Sequence, residues 1–122
     1  MGILKTGFVT ILVLTALVAA SAEDTTVEGE LVDVTCFSNG AKGEGHRMCA
    51  ITCAKLGKPI GIATKDGKVY TLLTESPLMA EYMAKTVKVS GKLHKASQSI
   101  KPTSVMVKEG DEWVKIKISK AM

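Results

Sequence analysis

IGIATKDGKVYTLLTESPLMAEYMAKTVKVSGKL, residues 60–93, sets the order of elements on which the fold depends. It opens with two short runs rich in β-branched and aliphatic residues, Ile60–Thr64 and Val69–Leu73, which read as strands. They are joined across Lys65-Asp66-Gly67-Lys68, and Asp-Gly at the centre predicts a tight type I′ hairpin turn. Ser76-Pro77 then opens a helix that runs to about Lys85, with the serine as cap and the proline in the first turn. Leu78, Tyr82 and Lys85 recur at helical spacing, as do Met79 and Met83. Thr86–Leu93 returns to the strand period, with Val87, Val89, Gly91 and Leu93 on one face.

Working outward, Val27–Cys36 (VEGELVDVTC) predicts a preceding strand. Val32, Val34 and Cys36 alternate on one face, Val27, Gly29 and Leu31 lie on the other, and Gly29 marks a bulge or bend. Downstream, Thr103–Lys108 and Trp113–Ile118 predict two more strands around the turn Glu109-Gly110-Asp111. Val114, Ile116 and Ile118 share one face of the last strand, with lysines opposite. The order is strand, insertion, two strands, helix, then three strands. It predicts a mainly β chain with two short helices: a small OB-like Greek-key barrel with a Cys/His-bearing helical insertion between strands 1 and 2. The glycines of the first and fourth strands fall where strands bend around such a barrel. The rival architecture is an open antiparallel sheet packed against two helices.

The N-terminus, MGILKTGFVTILVLTALVAASAEDTT, has Lys5 before an uncharged, mostly apolar run from Phe8 to Ala20. Ala20-Ser21-Ala22 supplies small residues at a cleavage position, and Glu23-Asp24 follow. Residues 1–22 therefore read as a signal peptide and residues 23–122 as a single OB-like domain, exported to a periplasm or secreted. An uncleaved anchor is disfavoured by the shortness of the apolar run. The chain carries a formal net charge of +4. The lysines are scattered singly along strands, as on a solvated outer face, and this balance does not by itself indicate nucleic acid. Beyond the signal segment the aromatic residues are only Phe37, Tyr70, Tyr82 and Trp113, too dispersed for a base-stacking platform, so no nucleic-acid partner is expected.

All the soft chemistry of the chain lies in CFSNGAKGEGHRMCAITC, residues 36–53, which holds the three cysteines and His46. A glycine-rich loop with Gly40, Gly43 and Gly45 leads into a predicted helix, His46–Leu56, ended by Gly57 and Pro59. His46, Cys49 and Cys53 are three and four residues apart and share one helix face. Cys36, at the end of the first predicted strand, supplies a fourth donor. Three cysteines and a histidine form a known tetrahedral set for structural zinc, and thiolate-rich sites also suit Cu(I). The candidate metal ligands are thus Cys36, His46, Cys49 and Cys53. The competing reading is a buried helix face stapled by a disulfide from Cys36 to Cys49 or Cys53, worth about 2–4 kcal/mol. That would make the protein a disulfide-stabilised binding module for a protein, glycan or envelope ligand. An odd number of cysteines leaves one thiol unpaired in that case. The odd thiol and the nearby histidine favour metal.

The stretch from Val27 to Leu73, with VKVSGKL after it, resembles a group of small exported bacterial proteins. They share a cysteine, a glycine-rich loop, His-x-x-Cys-Ala-x-x-Cys, then Gly-x-Pro-x-Gly and a hairpin. The resemblance implies an exported location and the Cys/His set, and no reaction. No enzyme activity is expected: a thiol enzyme needs a base and an orienting group, and only His46 with Cys49 offers a pair. Met79 and Met83, with Met48 beside Cys49, suggest a thioether copper site, but methionines at helical spacing more often fill cores. His94 reads as a surface residue.

Overall fold

The computed structural model describes Gly2 and residues 22–118. The predicted signal segment, residues 1–22, lies outside them apart from Gly2 and Ala22. The elements in chain order are β1 (Glu23–Asp33), α1 (Val34–Ser38), a 3-10 turn (Glu44–His46), α2 (Arg47–Lys55), β2 (Ile60–Ala63), β3 (Val69–Leu72), a 3-10 helix (Ser76–Tyr82), β4 (Thr86–His94), β5 (Ser99–Glu109) and β6 (Glu112–Ile116).

The strands lie in the order β3-β2-β1-β4-β5-β6. All neighbouring pairs are antiparallel. A parallel pairing of β3 with β5, Thr71 opposite Ser99 and Leu72 opposite Ile100, closes the first five strands on themselves. The result is a mixed five-stranded closed barrel, OB-like and Greek-key in topology, and closure excludes the open-sheet rival. β6 continues the last hairpin outward from β5. Among the described residues no helix is long and apolar enough to cross a membrane.

The interior is built from the alternating residues of the strands. Leu31, Ile60, Ile62, Val87, Val89, Ile100, Val105 and Val107 are buried, and Met79 of the 3-10 helix and Met83 just after it join the same core. Those two methionines are core residues, as flexible apolar fillers usually are. β1 is long enough to serve two neighbours, pairing with β4 from Glu23 to Glu30 and with β2 from Glu30 to Asp33. Gly29 lies at the changeover, where a Cβ would overlap the carbonyl of Ala63. Gly91 stands at the β4–β5 bulge, where a Cβ would overlap the carbonyl of Lys101. Gly91 marks a predicted bend, whereas Gly29 serves close backbone approach within an unbroken register.

Several expectations are corrected. β1 ends at Asp33, so Val34 and Cys36 belong to a helix and not to the strand, because the Asp33 side chain caps a new helical turn. The helix predicted over His46–Leu56 is a 3-10 turn followed by Arg47–Lys55. In the hairpin loop only Gly67 has positive φ, so the turn is not type I′. Gly67 donates to the carbonyl of Thr64, and Thr64 to that of Lys68, while the Asp66 carboxylate accepts from the Thr64 hydroxyl. The helix from Ser76 is a 3-10 helix that ends at Tyr82, its cap position is Glu75, and Ser76 is buried inside its first turn. β5 begins at Ser99, ahead of Pro102, because the bulge between Ser90 and Gly91 accommodates a residue with no N–H to pair. Val114 is exposed, whereas Ile116 is buried and Ile118 packs on the core.

Candidate metal centre

The insertion between β1 and β2 carries the three thiols on two separate helical elements. Asp33 starts the first: its Oδ1 accepts the backbone N–H of Cys36 at 2.7 Å, the third residue of α1. The Cys36 carbonyl accepts in turn from the N–H groups of Asn39 and Ala41, both at 3.0 Å. Cys36 is thus pinned on both sides of its Cα. The chain then turns through Gly43, whose φ of +80° suits glycine and whose N–H donates to Glu30 Oε2 at 3.1 Å.

α2 is fastened to the barrel at both ends. The Arg47 guanidinium donates from Nε to the Met83 carbonyl at 3.2 Å and from Nη2 to the Glu81 carbonyl at 2.8 Å. Ala50 and Ala54 are buried against the core, and their small side chains let the helix approach closely. The helix stops at Gly57, at φ +80°, with Gly57 N–H on the Ala54 carbonyl and Lys58 N–H on the Cys53 carbonyl. That is a Schellman ending. Its position was legible from Gly57 and Pro59.

This framework brings Cys36, Cys49 and Cys53 together. Their Sγ atoms all lie within 4.8 Å of one another, and all three are free thiols. Cys49 is exposed and the other two are half-buried. A tetrahedral zinc with bonds of about 2.3 Å separates its sulfurs by about 3.8 Å. Rotamer adjustments therefore suffice to close the cluster on an ion. The set is all sulfur, which suits zinc, Cu(I) and other thiophilic ions.

His46 is not in this group. Its imidazole lines a small cavity beside Asp33 and Ala50, and its Nε2 is buried without a hydrogen-bond partner. Met48 projects into solvent at 73% exposure. His94 is exposed, as expected.

Burial pushes the Cys36 thiol up to about 11, with the nearby Asp33 carboxylate as the next cause and the other two cysteines after it. Cys53 is raised as well, first by burial and then by Asp33 and Cys49, with Lys58 opposing. Cys36 and Cys53 are thus harder to ionise than ordinary thiols, and a metal that binds them must displace their protons. Asp33 is 1% exposed, and its Oδ2 also lacks a hydrogen-bond partner. Sequence reasoning did not place Asp33 at this site. The available signal was the Asp-x-x-Cys spacing of a helix cap at the end of a strand.

No protein family, no curated protein and no solved structure matches the chain. The fold and the cluster of sulfurs are therefore the grounds for a functional reading. A small OB-like barrel of this kind is consistent with a non-catalytic binding module, here one with a cysteine cluster capable of coordinating a metal ion.

Proposed function

We propose that this chain is an exported, non-catalytic protein that binds one thiophilic metal ion, zinc or Cu(I), between Cys36, Cys49 and Cys53, and carries it as exchangeable cargo. The observation that carries this reading is the convergence of three free sulfurs, from two separately anchored elements, to within 4.8 Å. Cargo is favoured over a structural ion by the way the insertion is held. Arg47, Ala50, Ala54 and the Asp33 cap fasten both helices without any metal. Structural zinc sites, by contrast, are closed and contribute much of the folding energy of their domains. The exposed Cys49 is the side from which an acceptor, such as an envelope protein, would take the ion. The exported location rests on the signal-like residues 1–22, and it fits a protein that handles metal outside the cytoplasm.

Native mass spectrometry of the protein recovered from an exporting host, with a thiol count on the same sample, tests the reading. The expected result is one metal per chain, three protected thiols, loss of metal in each of Cys36→Ser, Cys49→Ser and Cys53→Ser, and an unchanged fold after chelation. A chain two mass units light, without metal and with one reactive thiol, would reject it in favour of a disulfide-stapled binding module.

A further inference from the structure

Among the described residues, two buried side-chain polar atoms lack a hydrogen-bond partner: Asp33 Oδ2 and His46 Nε2. Buried polar groups in native proteins are nearly always satisfied, and two orphans in one place call for a common explanation. Asp33 and His46 line the same cavity, of about 10 Å³. Its other walls are largely apolar, including Leu31, Val32, Ala50 and Ala84. Of its other charged walls, Glu30 already accepts the Gly43 N–H through Oε2, and Lys42 is exposed. A single water needs about 10–15 Å³ and at least two polar partners. The space is too small for a hydrated cation or an organic ligand.

We propose that one water molecule occupies this cavity and joins His46 Nε2 to Asp33 Oδ2, which makes His46 a positioning residue for the thiol cluster and not a metal ligand. The water donates one hydrogen to Oδ2, and it accepts from Nε2–H or donates its second hydrogen to Nε2, according to the tautomer. Both carboxylate oxygens are then engaged, Oδ1 on the Cys36 N–H and Oδ2 on the water, so the carboxylate is held in place as the cap that sets Cys36. The chain Cys36–Asp33–water–His46 runs from α1 through the end of β1 to the start of α2, one turn before Cys49. It ties together the two elements that supply the sulfurs. Supporting residues of this kind shift metal affinity by about 10–100-fold without touching the ion.

The second half of the proposal rests on the metal reading above, and the first does not, so two measurements are needed. A high-resolution crystal structure of the metal-free protein should show one water within hydrogen-bond distance of both atoms. An empty cavity, or His46 turned out to solvent, would overturn the proposal. Co(II) titration followed by visible absorption then compares wild type, His46→Ala and His46→Gln. Both variants should still take one Co(II) with the wild-type thiolate-to-cobalt bands. His46→Ala should bind about 10–100-fold more weakly. His46→Gln, whose amide reaches the water but is a poor donor to a thiophilic ion, should recover most of that loss. A changed ligand-field spectrum, with His46→Gln as weak as His46→Ala, makes His46 a ligand and overturns the assignment. If wild type takes no Co(II), the metal reading fails, and the crystallographic water alone decides this one.

Discussion

Asp33 Oδ1 accepts the backbone N–H of Cys36 at 2.7 Å, so the last residue of the first barrel strand is also the cap that launches the first thiol. One carboxylate thereby ends β1, begins α1 and sets the electrostatics of the cluster. Asp33→Asn separates these roles, because the amide oxygen still caps while the charge is gone. Cys36 should then ionise at a lower pH than the value of about 11 that Asp33 helps to impose, yet still above its ordinary 9.0, since burial is the larger cause and remains. The pH profile of iodoacetamide labelling at Cys36 measures this. An unmoved profile would mean that the carboxylate does not act on the thiol. Asp33→Ala loses the cap as well and should cost about 0.5–2 kcal/mol in urea unfolding.

The raised Cys36 thiol makes a second prediction, about stability against pH. An acid whose folded pKa is raised holds its proton where the unfolded chain has already released it, so the unfolded state gains as pH rises. Stability should fall between pH 9.0 and about 11 as Cys36 is forced to ionise. Cys53 and Tyr82 are shifted upward too and act in the same direction. The informative quantity is therefore the difference between wild type and Cys36→Ser. The two unfolding curves should run parallel below pH 9, and the wild type should lose more stability above it. Parallel curves throughout would show that the thiol is not desolvated.

How far the sequence carried can be judged from particular residues. Period-two alternation identified β4 with all four of its inward residues, Val87, Val89, Gly91 and Leu93, because each lies on one uninterrupted barrel face. Barrel closure was legible as element order, yet the parallel contact of Thr71 with Ser99 that completes it was not. A pairing between residues so distant in sequence leaves no local pattern. The three cysteines were legible as a set. His46 shares their spacing, and it closes the 3-10 turn ahead of α2 and lines the small cavity beside Asp33. The strand read through Cys36 failed because Val34 and Cys36 continue the alternation of β1 by chance of composition. The competing signal, an Asp cap, acts through one side-chain hydrogen bond and overrides it.

Arg47 offers a test of how the insertion is held. Its two bonds to the carbonyls of Glu81 and Met83 join α2 to the segment that carries the buried Met79 and Met83. Arg47→Ala should destabilise the protein by about 1.5–3 kcal/mol, the range for hydrogen bonds to a charged donor. Arg47→Lys should not restore it, because an ammonium on a flexible stem does not present two donors in a fixed fork. Metal affinity should fall with the anchoring of Cys49 and Cys53. An Arg47→Ala protein with wild-type stability would show that the packing of Ala50 and Ala54 suffices.

Gly91 is a stringent test of the barrel itself. Its Cα faces the backbone of β5 where the register slips between Ser90 and Gly91, and any Cβ there overlaps the Lys101 carbonyl. The obstruction is main chain, which cannot rotate away as a side chain would. Gly91→Ala should therefore cost at least the roughly 1–3 kcal/mol typical of overpacked cores. It should also perturb β4 and β5 more than the distant insertion. Chemical denaturation gives the first quantity, and amide chemical shifts compared between Val105 and Cys49 give the second. A fully tolerated alanine would mean that β4 and β5 do not cross as closely as the bulge requires, and the closed barrel would have to be redrawn at that corner.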